Sequence, residues 1–151
     1  MKKTLYVLGG ILLVGTLGFA YYAISPLFIN IKVDEALPEM MQKQSQSSAP
    51  SPVVSTTGHP ASGTARVITA DGKTYIRYEN FKTINGPDLY VYLAKDLDAK
   101  EFVNLGTLKA TEGNVNYEIP PNITVEDYKY VMVWCKQFGV LFNYAGLSQA
   151  L

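Results

Sequence analysis

The sequence predicts an all-β domain, an antiparallel β-sandwich or barrel-like fold of about seven to eight strands, preceded by one N-terminal transmembrane helix. Three observations carry this expectation. Residues 4–31 contain no charged side chain, and residues 5–24 are an almost unbroken apolar run. From residue 58 onward, short alternating or apolar runs are punctuated by Gly, Pro, Asn and Asp every eight to twelve residues or so, the spacing of short strands in a sandwich. No part of that region carries a helical apolar stripe of useful length.

The N-terminal run, LYVLGGILLVGTLGFAYYAI, has the length of about 20 residues that a helix needs to cross the hydrocarbon core. Glycines at positions 9, 10, 15 and 18 are tolerated in such a helix, and Tyr21 and Tyr22 suit the far headgroup layer. The competing reading is a cleaved signal peptide. Its apolar region is normally about 7 to 15 residues and ends in a small-x-small site. Here the run is longer, and AYYAISP sets Tyr21 two residues before Ala23. An uncleaved signal anchor is therefore favoured, and no cysteine follows the run to receive a lipid. Lys2 and Lys3 precede it, whereas Lys32 is followed at once by Asp34 and Glu35. The positive-inside bias puts the N-terminus in the cytoplasm and the rest outside, in a single-pass cell-membrane protein.

Residues 1–31 are thus expected to be the anchor and residues 32–57 a flexible linker. The linker is rich in Ser, Gln and Pro and shows neither helical nor strand periodicity. As a random coil its ends would lie about 25 to 30 Å apart.

Residues 58–151 are the expected domain, large enough to build a core without disulfides or metals as staples. GTARVITADGKTYIRYENF reads as two strands around Asp71-Gly72, a dipeptide suited to a tight hairpin turn. LYVYLA, at 89–94, follows the turn-forming Gly86-Pro87-Asp88. EFVNLGTL and NVNYEI are further strands, the second stopped by Pro120-Pro121. YVMVWCKQFGVLFNYA then gives a strand apolar enough to be central, a four-residue loop at 136–139 and a last strand.

Composition excludes several functions. The formal net charge is zero and there is no basic stripe, which argues against nucleic-acid binding. His59 is the sole histidine, so a Ser-His-Asp hydrolase or a His-rich metal site has little to work with. Asp88, Asp96 and Asp98 supply carboxylates, but not at a calcium-loop spacing. Asp88 is expected to accept backbone N–H bonds at its turn. Asn122-Ile123-Thr124 is a glycosylation sequon on an expected external loop.

The single cysteine, Cys135, should share one strand face with Val131 and Val133, while Lys136 points to the opposite face. A buried free cysteine commonly acts as a small hydrophobe. Outside the cytoplasm, however, thiols are usually paired, and one cysteine cannot make an internal bridge. Cys135 is therefore buried, ligated, reactive or joined to another chain. His59 reaches it if the fold brings first and last strands together, and a Cys/His pair could ligate haem iron or copper or form a nucleophile and base. The bland alternative for His59 is a solvated linker residue. There is no CxxCH for covalent haem attachment.

Several blocks in order carry a family resemblance. They are Gly86-Pro87-Asp88-Leu89 with Tyr92-Leu93; Leu105-Gly106 with Leu108-Lys109; Gly113; Asn116-Tyr117-Glu118-Ile119-Pro120; and Trp134-Cys135, Phe138, Val140, Phe142 and Ala145. Together they resemble the DM-thirteen domain over nearly all of residues 58–147. The resemblance implies a sandwich-like extracellular module with a role in electron transfer or oxidation of surface proteins. It also implies that the family's cysteine maps onto Cys135, as a bare thiol or as a ligand of haem or a metal ion, with His59 at a position where the family often has histidine. The leading expectation is a membrane-anchored extracytoplasmic redox or electron-transfer accessory domain, an oxidoreductase or electron-transfer component served by a separate redox protein. The alternative is a cell-surface binding or assembly module in which Cys135 is structural.

Overall fold

The computed structural model of the chain describes residues 2–37, 46–70 and 72–147, without the side chains of Leu5 and Gln46. Helix α1 runs Lys2–Ile24 and a 3-10 turn, Ser25–Phe28, follows it. Among the described residues this is one helix long and apolar enough to cross a membrane, and its most apolar stretch is not buried against the rest of the chain.

The strands are β1 (Lys32–Asp34), β2 (Gln46–Ser47), β3 (Ser51–Pro52), β4 (Val54–Ser55), β5 (Ala61–Ala70), β6 (Lys73–Thr83), β7 (Leu89–Ala94), β8 (Phe102–Thr107), β9 (Glu112–Ile119), β10 (Tyr130–Cys135) and β11 (Val140–Gly146). They form two sheets. One has the order β1-β9-β6-β5-β2 with β3 also on β5, and the other β4-β11-β10-β7-β8. All pairings are antiparallel except β1 with β9. The architecture is the expected sandwich, and its seven longer strands fall where the sequence runs lie.

The core follows from strand alternation. Val67, Ile76, Tyr78, Val115 and Tyr117 from one sheet meet Leu89, Val91, Leu93, Val131, Val133 and Cys135 from the other in one buried cluster. Burying each large apolar side chain there contributes about 1.5 to 3 kcal/mol. On its outer face the second sheet packs Tyr92, Ala94 and Met132 beneath Tyr90, Tyr130, Trp134 and Tyr144. Strand β10 is thus covered on both faces, as its unbroken apolar run requires. The first hairpin pairs Ala70 with Lys73 across two residues, of which Gly72 has φ +72° and Asp71 lies outside the described residues.

Segment 32–57 departs from the expected linker. Residues 38–45 lie outside the described residues, but the parts on either side are strands of the domain. The backbone of Ile31 exchanges hydrogen bonds with Thr111, accepting from its N–H at 2.8 Å and donating to its Oγ1 at 2.8 Å. Glu35 N–H donates to the Asn114 carbonyl, and the buried Arg77 guanidinium donates to the carbonyls of Glu35 and Ala36. Gly113 makes this pairing feasible: its φ is +123°, and a Cβ there would lie 1.8 Å from the Val33 carbonyl oxygen. Periodicity could not reveal strands of two or three residues, because pairing partners rather than a repeating apolar face hold them.

Candidate functional site

Cys135 is the last residue of β10, in register with Leu89 of β7 and Val140 of β11. It shares the core face with Val131 and Val133, as alternation predicts, and is 1% exposed. Its Sγ–H donates to the Pro87 carbonyl at 3.0 Å. Residues 136–139 form the four-residue loop, and Lys136 turns to the other face, its Nζ 5.3 Å from the centre of the Tyr90 ring.

His59 reaches the same end of the sheet by way of β4. That strand pairs with β11, Ser55 opposite Asn143 and Val54 opposite Tyr144, which brings the chain just after it beside Phe142. The β10–β11 register slips between Val133 and Trp134, whose partners are Asn143 and Leu141, so Phe142 is the extra residue of a bulge. Bulges re-aim side chains. Here Phe142 is buried, and its ring lies 4.0 Å from that of His59 at an interplanar angle of 30°.

Thr56 fixes the histidine tautomer. Its Oγ1 is 2.8 Å from the Leu141 carbonyl oxygen, 2.7 Å from that of Phe142 and 3.2 Å from His59 Nδ1. A hydroxyl has one proton and carbonyls only accept, so the proton goes to the bulge carbonyls and Oγ1 accepts from Nδ1–H. That leaves the lone pair of the neutral imidazole on Nε2.

Cys135 and His59 line one cavity of about 300 Å³. Gly86, Pro87, Val140 and Phe142 complete its domain wall, while Phe138 of the loop and Ala23 and Leu27 of the N-terminal segment close its other side. Gly86 belongs there for want of space, since a Cβ would sit 2.8 Å from Phe142 Cζ. The two side chains share this space without a hydrogen bond to each other.

Residues 53–147, more than half of the 151-residue chain, match the family described as electron transfer DM13. The chain belongs to the electron transfer DM13 family. Membership supports a redox or electron-transfer role in general terms. No curated protein and no solved structure matches the chain.

The donor set of this DM13 domain does not fit a resident metal. Among the described residues no group of three or more His, Cys, Asp or Glu could hold an ion, whereas protein-ligated transition metals generally take three or four ligands. Haem needs fewer ligands, but among the described residues no Lys or Arg lines the cavity to pair its propionates, and its volume is at the small end of ligand pockets, about 300 to 1,000 Å³. What remains is a thiol, an imidazole with a free Nε2 and an apolar space between them.

The other sequence candidates lie elsewhere. Asp88 has φ +58°, and among the described residues it is its main-chain carbonyl that accepts a hydrogen bond, from Lys136 N–H at 3.0 Å. The carboxylate expected to organise a turn is instead Asp96, whose Oδ1 accepts from the N–H groups of Asp98 and Lys100. Backbone bonds, that from Lys100 foremost, hold the Asp96 carboxyl below the usual range. Asn122 is exposed on a turn after β9. Thr56 has no place in the sequence reading, and Pro87 and Phe142 enter it through the family resemblance, not as parts of a site. Thr56 falls in the expected linker, and neither the turn signal of Pro87 nor the strand position of Phe142 shows that they line one space with Cys135.

Proposed function

We propose that the chain is a membrane-anchored, extracytoplasmic electron-transfer domain whose redox group is the Cys135 thiol, with His59 as its proton acceptor. The observation that carries this is the shared cavity, which sets the only thiol and the only imidazole of the chain on one small apolar space. Anchoring by α1 is supported by its length and freedom from charge between Thr4 and Ile24, and Lys2 and Lys3 favour a cytoplasmic N-terminus. On that topology Asn122 is a candidate glycosylation site.

The chemistry follows from the two side chains. Electrons leave from Sγ to an acceptor seated in the cavity, and the thiol proton passes to Nε2 of His59. With a small disulfide as acceptor, Sγ bonds to one sulfur, the S–S bond breaks, and the second sulfur leaves with the electron pair and takes up the proton. Attack by a second thiol returns Cys135 to its reduced form. In the cell the donor or acceptor would be a separate redox protein or a carrier it delivers.

A second reading rests on the burial of Cys135 and its bond to Pro87. It makes the sulfur a structural residue of a cell-surface binding or assembly module. The full chain in lipid nanodiscs, treated with a small aromatic disulfide and followed by intact mass, separates the two. The redox reading expects one mixed disulfide per native chain, reversed by added thiol and lost in Cys135→Ser. A native chain that forms no adduct until denatured would leave only the structural reading.

A further inference from the structure

The connection between α1 and the sandwich is too short to be a tether. The helix ends at Ile24, and Ile31 is already hydrogen-bonded to Thr111. The six intervening residues would span about 20 Å if fully extended, and four of them are wound into the 3-10 turn. The domain must therefore rest close to whatever surface the C-terminal end of α1 emerges from.

The part that meets the helix is the β10–β11 loop. Tyr22 Oη donates to Gln137 Oε1 at 2.8 Å, and the rings of Phe19 and Phe138 meet edge to face with centroids 6.5 Å apart. Phe19 lies five residues before Ile24, about 7.5 Å back along the helix axis. Phe138 is nonetheless 46% exposed, and Phe28, just beyond the helix, is 84% exposed. Leu27 and Ile29 of the same segment are exposed apolar residues too. Exposed aromatic side chains beside a helix that is uncharged from Thr4 to Ile24, with the polar Tyr22–Gln137 pair at the same contact, match the layering of the headgroup and acyl boundary.

We infer that the tip of the β10–β11 loop, Gln137 and Phe138, is seated in the bilayer at the headgroup–acyl boundary, so that the cavity of Cys135 and His59 opens at the lipid interface. The inference rests on α1 spanning the membrane. Its occupant is the lipid surface itself. The cavity wall supplied by Ala23 and Leu27 is then a wall at lipid level, and a reactant that partitions into the membrane reaches the thiol more readily than one confined to water.

Nitroxide labels in the Cys135→Ser chain, reconstituted in phosphatidylcholine vesicles, test this through their accessibility to oxygen and to a water-soluble nickel chelate. Phe138→Cys and Gln137→Cys report the loop. Gly10→Cys, where the helix surface is open, reports the span, and Lys100→Cys reports the far end of the second sheet, beyond the Tyr130–Ala94 pair. The expected result is an oxygen-to-nickel ratio at Phe138 several-fold above that at Lys100 and close to that at Gly10, with Gln137 between. A loop as nickel-accessible as Lys100, with Gly10 still shielded, would overturn the inference and leave the anchor standing. Nickel access at Gly10 would overturn both.

Discussion

The Sγ of Cys135 donates a hydrogen bond to the main-chain carbonyl of Pro87, 3.0 Å away, tying the end of β10 to the turn that precedes β7. The bond is made by the protonated thiol, so any reaction at sulfur must break it. Two substitutions separate bonding from packing. Cys135→Ala leaves the Pro87 oxygen without its donor and is expected to cost about 1 to 3 kcal/mol. Cys135→Ser keeps a donor and is expected to cost less. Chemical denaturation of both variants checks the order, which reverses if the sulfur is merely apolar filler, because a buried hydroxyl then costs more than a methyl group.

Thr56 sets which nitrogen of His59 carries the proton. In the native chain, nitrogen-15 NMR is expected to find His59 in the Nδ1–H form. Thr56→Val removes the acceptor at 3.2 Å while keeping the shape, and should shift the ring toward the Nε2–H form. The same variant should slow any reaction of Cys135 that needs a free Nε2. An unchanged tautomer would remove Thr56 from control of the ring, and a native His59 found in the Nε2–H form would remove the imidazole from the proposed proton path.

Gly113 admits β1 to the sheet. Gly113→Ala places a methyl group against the Val33 carbonyl at a φ of +123° that alanine rarely adopts. A cost of about 2 kcal/mol or more is expected, with loss of amide protection at Val33 and Glu35 measured by hydrogen exchange. Intact protection in that variant would mean β1 is held by other contacts.

Glu79 makes the domain acid-sensitive. Burial alone would raise its carboxyl, but hydrogen bonds from Arg66 and Arg77, at 2.6 and 3.0 Å to the same oxygen, outweigh it and lower it below the ordinary 4.5. Because the folded value is the lower one, the unfolded chain binds the proton more readily. The stabilisation is present above the unfolded value of 4.5 and is lost as pH falls through the folded value. Glu79→Gln should flatten the stability profile in that acid window and leave the slope near neutrality unchanged. A profile as steep as that of the native chain would assign the acid sensitivity elsewhere.

Much of the fold is legible in the sequence because long strands carry their own signal. The runs at 63–81, 89–94 and 130–146 show alternation or continuous apolarity bounded by turn residues, and the side of β10 that Cys135 faces follows from counting by two. Four short strands are not legible, since β1 and β4 are defined by partners 80 or more residues away, and nothing local marks Lys32 or Val54 as paired. The site is half legible for the same reason. Cys135 and His59 stand out by chemical type, but their meeting depends on β4 joining β11 and on the bulge that turns Phe142 inward. Thr56, which orients the imidazole, carries no signal until that pairing is known.

The central claim is that Cys135 is a redox thiol reached through the cavity, not by unfolding. Its most direct test is the rate at which the full chain in nanodiscs is alkylated at Cys135 by a small membrane-permeant maleimide, as a function of low denaturant concentration. The account predicts a rate that is nearly independent of denaturant well below the unfolding transition and is reduced in His59→Gln. A rate that vanishes in water and rises in proportion to the unfolded fraction, unaffected by His59→Gln, would contradict it.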